Sequence, residues 1–163
     1  MISRTTRLLL LSTALLFTGA CGRHDHDHGT AETSAHRHEH HAPHGGTPVV
    51  LGEDAYHLEL VLDADRGALR AYVLDGHMED FIRCAAPSFE IVGLVGAESR
   101  SLVFEPVGDP ATGEKPGDTA CFEAKADWLR TAKEFDAVLT SLTIRGSTFD
   151  AVAFRFPEGN EAH

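Results

Sequence analysis

The sequence has few positive charges, and this scarcity argues against one large class of function. Its 163 residues include 14 Lys and Arg against 25 Asp and Glu, a formal net charge of −11 with neutral histidines. Nucleic-acid-binding proteins need a basic footprint on their surface, so we expect no nucleic-acid partner. An acidic surface instead attracts cations.

The sequence also lacks the short motifs that mark common enzyme classes. It contains no glycine-rich phosphate loop, no G-x-S-x-G nucleophile turn and no H-E-x-x-H zinc-protease motif. The carboxylates are numerous, but no spacing pairs two of them for acid–base catalysis. Cys84 beside a histidine could imitate a thiol protease, although such pairs arise easily by chance. We therefore predict that the protein is not an enzyme.

No apolar run in the sequence is long enough to cross a bilayer as a helix. The longest, residues 8–17, follows Arg4 and Arg7 and precedes the small residues 18–20. A membrane-spanning helix needs about 20 apolar residues. A positive start, a short apolar run and a small-residue end are instead typical of a secretory signal peptide. We assign residues 1–20 to such a signal.

The end of this segment resembles the lipobox of bacterial lipoproteins. Residues 17–21 read Phe-Thr-Gly-Ala-Cys, with Thr18 where an aliphatic residue is usual. The resemblance implies cleavage before Cys21 and lipidation of its thiol, and several acyl chains anchor a protein firmly to a membrane. Gly22 follows instead of an aspartate, which favours the outer over the inner membrane. The alternative is an ordinary signal peptide that is cut elsewhere and leaves Cys21 free.

Cysteine is scarce in the rest of the chain. Apart from Cys21, only Cys84 and Cys121 are present. In an oxidising compartment a lone pair of cysteines most simply forms a disulfide, which is our prediction for these two. The alternative is two free thiols, one of them a metal ligand, but no C-x-x-C or C-x-x-H spacing supports a thiolate site.

Histidine is abundant, and eight of the 11 histidines fall between Cys21 and Gly46. Imidazole with carboxylate suits Zn, Ni, Cu(II) or Co, and a histidine-rich tract is first of all a metal-binding composition. Only deprotonated imidazole binds metal, so affinity should fall as the pH drops through about 6. The alternative is a solvated polar spacer. The candidate metal ligands in this tract are His24, His26, His28, His36, His38, His40, His41 and His44.

The chain divides at the end of this tract. Residues 21–46 hold too few apolar side chains to offset their chain entropy, so we expect a tether that is disordered without metal. From residue 47 onward, short alternating runs separated by Gly and Pro turns predict hairpins, and residues 127–135 are the only helical candidate. We predict that residues 47–158 form one mainly β domain, an antiparallel β-sandwich or small barrel with one short helix.

Two further histidines lie in the predicted domain. His57 alternates with Tyr56 and Leu58, which places it on the polar face of its strand, and His77 follows the partner strand. The hairpin pairing would bring His57 near Leu74 or His77, so a joint metal site can be envisaged. The alternative is that both are ordinary surface histidines.

Three segments carry a resemblance to a known family. They are His44-Gly45-Gly46, Tyr56–Val61 and Ala71–His77. Together they resemble a small module of bacterial heavy-metal efflux systems, found as the N-terminal extension of some periplasmic adaptor subunits and as short secreted proteins. The resemblance covers residues 43–95, and the chain is too short for the helical hairpin and lipoyl domains of an adaptor. It implies periplasmic handling of zinc or copper, an efflux component as partner, and His44, His57 and His77 as ligands.

The leading hypothesis is therefore a lipid-anchored, periplasm-facing envelope protein that binds zinc or copper without catalysis. The alternative hypothesis is a lipid-anchored β-sandwich interaction module in which the histidine-rich segment is only a spacer. The two differ in whether the folded domain takes part in binding metal.

Overall fold

Eight β-strands make up most of residues 41–161, the part of the chain that the computed structural model describes. All the strand pairs are antiparallel, so the predicted mainly β, antiparallel fold is confirmed. The predictions for the signal peptide, for Cys21 and for the tract histidines up to His40 lie outside the described residues. The strands are β1 (Thr47–Leu51), β2 (Tyr56–Asp63), β3 (Ala68–Asp75), β4 (Phe89–Val95), β5 (Glu98–Pro106), β6 (Cys121–Lys125), β7 (Phe135–Ile144) and β8 (Ser147–Phe156).

The strands form one sheet in the order β1-β2-β3-β6-β5-β4-β7-β8, which curls until its two edges approach each other. The fold is therefore a nearly closed barrel, one of the two predicted architectures. The short tail after β8 bridges the remaining gap. Its Pro157 carbonyl accepts a hydrogen bond from the Thr47 hydroxyl at 3.0 Å, and its Asn160 side chain bonds to Val50.

Alternate residues of each strand fill the inside of the barrel, as the period of a β-strand requires. Val49, Leu58, Leu69 and Leu139 are fully buried there. Phe89 stacks on Phe104 at 4.8 Å and meets Phe122 edge-on at 5.1 Å, an arrangement that aromatic rings favour.

The alternation changes phase in the last hairpin. The sequence pattern predicts Val138, Leu142 and Ile144 on one face, but Val138 is 38% exposed while Leu139 is fully buried. Ala151, on the partner strand β8, has φ = 53°, in the left-handed region. The ladder lacks the Thr140–Ala151 pair at this point, and the buried positions change parity between residues 139 and 142.

The predicted helix over residues 127–135 is reduced to a single 3₁₀ turn, Asp127–Arg130. No side chain caps its start, and Phe135 already belongs to β7. The Phe135 ring packs against Trp128 at 5.2 Å and Phe156 at 5.1 Å, so core packing takes precedence over helix propensity here. Within residues 41–161, no helix is long and apolar enough to cross a membrane.

The outer wall of the barrel at β2 is contacted by two segments. They are residues 42–46 before β1 and the tail 157–161 after β8. As a result, residues 57–60 of β2 are all buried, on both faces of the strand. The candidate site lies on this wall, where the segment before β1 packs against β2.

Candidate functional site

His44 lies in a turn that is packed against β2. The Gly45 N–H donates to the Ala42 carbonyl at 3.0 Å, with Pro43 at the second position, where its fixed φ favours a turn. Gly45 has φ = +68°, which glycine adopts without strain. A Cβ on Gly46 would lie 2.6 Å from the Leu60 carbonyl oxygen, so only glycine fits there.

The carboxylate of Glu59 holds this turn in place. Its side chain is fully buried. One oxygen accepts hydrogen bonds from the backbone N–H of His44 at 2.6 Å and of Gly46 at 3.0 Å, and the other lies 2.8 Å from Nδ1 of His44. A buried carboxylate without partners is costly, and three donors offset that cost. Glu59 therefore anchors the segment before β1 to the barrel wall.

The same contacts fix the state of the His44 imidazole. Because a carboxylate only accepts hydrogen bonds, Nδ1 carries a proton, and in the neutral ring the lone pair is on Nε2. No described residue forms a hydrogen bond to Nε2, and the side chain is 38% exposed. The ring stacks on Tyr72 at 4.0 Å and meets Phe81 at 5.7 Å. A histidine held by a carboxylate on one nitrogen is the arrangement that metal-ligating histidines adopt.

His44 lines a cleft of about 370 Å³ on the outer wall. Arg70 stands at one side of the cleft and is paired with Glu123 at 2.9 Å. Tyr72 lies beside Arg70 and the Cys121 thiol, and it raises the pKa of Arg70. The remaining lining comes mainly from Phe81 and the loop of residues 107–114.

The thiols are not activated for nucleophilic chemistry. Burial raises the pKa of the Cys121 thiol to about 11, and burial also raises the pKa of Cys84. Reactive cysteines have depressed pKa values, because the thiolate is the nucleophile. Neither cysteine matches that pattern, although the prediction that the protein is not an enzyme stays a prediction.

Cys84 and Cys121 are both free thiols in this structure. Cys84 packs in the hydrophobic core and pairs with Thr119, whereas Cys121, two residues further on, lines the outer cleft. The two side chains therefore occupy different surroundings, the core for Cys84 and the cleft for Cys121. Their pairing stays a prediction that thiol counting can check.

His57 is fully buried, in contrast to the polar, outward position that strand alternation predicts. Its Nδ1 lies 3.3 Å from the Asp75 carbonyl oxygen, and its Nε2 lies 3.8 Å from a carboxylate oxygen of Glu161. The reason is that the C-terminal tail, with Glu161, lies over this part of β2. His57 thus connects β2 to the end of β3 and to the C-terminal tail. Its role as a metal ligand stays a prediction.

His77 projects into solvent, with 75% of its side chain exposed. Its Nδ1 lies 3.9 Å from the Asp75 carboxylate, which accepts hydrogen bonds from the backbone N–H of Glu79 and Asp80. Burial alone would raise the pKa of Asp75, but these N–H groups and His77 outweigh it and lower that pKa. Met78, next in sequence, is buried.

The structure does not gather His44, His57 and His77 into one site. Between residues 41 and 161, no three His, Cys, Asp or Glu side chains are grouped closely enough to hold a metal ion. His41 is exposed. Glu59 was not among the predicted site residues. Its position between Leu58 and Leu60 was an available signal, because an acidic residue in such a strand needs polar partners.

Comparison of the chain with protein families, curated proteins and solved structures found no match. The functional argument therefore depends on the residues of this chain.

Proposed function

We propose that the protein is a lipid-anchored envelope protein that binds zinc or copper ions without catalysis. In this proposal Cys21 carries the anchor, the outer membrane is the site of attachment, and the chain faces the periplasm. An envelope metal-efflux component is the proposed partner. The histidine-rich tract collects the ions, and the barrel supplies His44.

One observation carries the proposal: the histidine-rich tract leads directly into an imidazole that a buried carboxylate holds in place. His44 is three residues from His41, and Glu59 holds its Nδ1 and leaves Nε2 available. A solvated spacer would not need the turn of its last histidine held by three hydrogen bonds to a buried charge, two from His44 and one from Gly46. The acidic charge supports the proposal, since it favours the accumulation of cations.

Calorimetric titration of Zn(II) into the chain from Gly22 to His163 tests the proposal. The matched variant carries asparagine in place of His24, His26, His28, His36, His38, His40 and His41, which keeps the polarity and removes the imidazoles. We expect the wild-type chain to bind Zn(II) at micromolar concentration and the variant to lose most of the bound ions. Binding no tighter than about 1 mM, equivalent to roughly 4 kcal/mol, would show the proposal to be wrong.

A second candidate function is a protein-interaction module, and an exposed apolar patch on the opposite wall favours it. Leu94 and Val138 are 44% and 38% exposed, and they line a shallow groove with Val92 and Ala153. These residues face outward on β4, β7 and β8, where solvent-facing positions are usually polar. This candidate does not need the histidines.

Site-specific photocrosslinking in cells tests the second candidate. A crosslinker at Val138 should capture a discrete envelope protein, whereas one at exposed Glu98, outside the groove, should not. Capture that persists when the seven tract histidines are asparagine would favour an interaction module over metal handling. Equal, diffuse labelling at both positions would contradict it.

A further inference from the structure

The outer wall formed by β5, β4, β7 and β8 carries a contiguous group of apolar side chains. Cross-strand pairing aligns Val92 with Val138 and Val138 with Ala153. Leu94 is the next outward residue of β4, and Val103 lies diagonal to Val92 across the β4–β5 pair. Leu94, Val103 and Val138 are 44%, 55% and 38% exposed. These five residues form the apolar patch, at positions where solvent-facing side chains are usually polar.

The charges beside the apolar patch are mainly negative. Glu90 and Asp136 face outward from β4 and β7, and exposed Glu105 continues the outer face of β5. The Asp136 carboxylate has no hydrogen bond or ion pair to another described residue. Arg155 lies opposite Asp136 on β8 but is already paired with Glu158 at 3.1 Å. A partner that covers the apolar patch therefore meets negative charge at its rim.

Charge and area both argue against a second copy of the chain as the occupant. Each copy carries a formal net charge of −11, and two acidic rims brought together repel each other. A stable dimer buries about 800 Å² on each partner, and five partly exposed apolar side chains supply only a fraction of that area. An anionic lipid surface is opposed by the same negative rim. The occupant that fits is a short segment with positive charge.

We propose that the apolar patch docks a short, basic, amphipathic segment of another protein. The apolar side chains of that segment cover Leu94 and Val138, and its Lys or Arg side chains pair with Asp136 at the rim. This arrangement of an apolar centre within a charged rim is the usual anatomy of a protein interface. The inference rests on the second candidate function, whose partner it specifies, and it does not need metal binding.

The experiment uses the chain from Gly22 to His163 and three synthetic peptides with blocked ends. Neighbouring strands lie about 4.8 Å apart, so four strands span roughly 15 Å, and an extended peptide of about seven residues covers that width. The first peptide alternates leucine with lysine, the second leucine with glutamate, and the third serine with lysine. NMR titration of the ¹⁵N-labelled protein measures each affinity. The leucine–lysine peptide should bind with Kd below about 1 mM and shift the amide signals of Leu94 and Val138.

Substitutions separate the apolar contribution from the charged one. Val138→Thr keeps the branched shape but places a hydroxyl in the contact, so affinity for the leucine–lysine peptide should fall roughly 10-fold. Leu94→Gln should cause a similar loss. Asp136→Asn should weaken binding about two- to fivefold and reduce its dependence on salt. Phe81→Ser, an exposed apolar residue outside the patch, and Glu53→Gln, an exposed acidic residue of the β1–β2 turn, are the matched controls and should leave the affinity unchanged.

Three outcomes would overturn the proposal. If the leucine–glutamate peptide binds as tightly as the leucine–lysine one, and Val138→Thr weakens both, the groove is a docking site but its partner is not basic, and the second candidate function survives. If no peptide binds with Kd below about 1 mM, or if Val138→Thr and Leu94→Gln both bind as wild type does, the patch is not the docking site. Sedimentation that shows a dimer lost in Val138→Thr would identify a second copy as the occupant. None of these results bears on the Zn(II) titration, which tests the metal proposal separately.

Discussion

The side-chain amide of Asn160 pairs with the backbone of Val50 as a neighbouring strand would. Its Oδ1 accepts a hydrogen bond from the Val50 N–H at 2.7 Å, and its Nδ2 donates to the Val50 carbonyl at 3.1 Å. β1 is an edge strand, and edge strands present unpaired backbone groups that invite association with other chains. Asn160 satisfies two of these groups at the seam.

Replacing Asn160 by alanine should therefore weaken the closure of the barrel. Two hydrogen bonds to the backbone are lost, and we expect the free energy of unfolding to fall by about 1–3 kcal/mol. Urea unfolding measures the change. Glu158→Ala is the control, since Glu158 is an exposed residue of the same tail, and it should have little effect. Equal stability of Asn160→Ala and wild type would mean that the tail does not seal the seam.

His57 and His77 should behave oppositely when replaced by alanine. His57 is fully buried, so His57→Ala should lower the free energy of unfolding by about 2 kcal/mol or more. His77 is exposed, so His77→Ala should stay within about 0.5 kcal/mol of wild type. Thermal unfolding compares the two. A His57→Ala protein as stable as wild type would contradict the structural role assigned to this imidazole.

Glu123 makes the stability of the barrel depend on pH. Lys125, 2.9 Å away, and Arg70, also at 2.9 Å, hold the pKa of this carboxyl below its usual value, against the opposing effect of burial. Because the folded pKa is lower than the unfolded one, the stabilisation is complete above the unfolded pKa and is lost as the pH falls through the folded pKa.

Glu123→Gln should accordingly be less stable than wild type at pH 7, by about 1 kcal/mol for a partly exposed ion-pair network. The difference should shrink as the pH is lowered from 7 towards 2, because wild-type Glu123 is then protonated as well. Urea unfolding at a series of pH values gives both curves. A difference that stays constant with pH would show that the ion pairs are not its source.

The state of the cysteines can be counted directly. In the chain from Gly22 onward we expect two free thiols in denaturant, since Cys84 and Cys121 lie in different surroundings. In the native protein Cys121 should react slowly at pH 7, because burial raises its pKa to about 11. A count of zero in denaturant would establish the disulfide that the sequence predicts.

The fold class could be predicted from the sequence because strand period and turn residues are local signals. The hairpin β2–β3 follows from alternation around Ala64–Gly67, and the structure pairs His57 with Leu74, as predicted. The sequence analysis did not predict the short strand β6. Its five residues are too few for a clear alternation pattern, and the strand is defined by its pairing with β3 and β5. Barrel closure was undecided for the same reason: it depends on contacts between residues about 110 positions apart.

The candidate site could be predicted only in part. The sequence singled out His44 from its histidine-rich context, but it assigned His57 and the rest of its face to solvent. Strand alternation distinguishes two faces and says nothing about segments that later cover one of them. Here the segment before β1 and the tail after β8 cover the outer face, so Glu59 and His57 are buried. Long-range packing decided their roles.

Gly46 gives the site a signature that can be sought in other sequences. A side chain at this position would collide with the Leu60 carbonyl and lift the turn away from β2. His44 would then lose its carboxylate, so Gly46 and Glu59, 13 residues apart, are needed together. In related chains, His44, Gly46 and Glu59 should be retained or lost as a set, even where the histidine count of the preceding tract drifts freely.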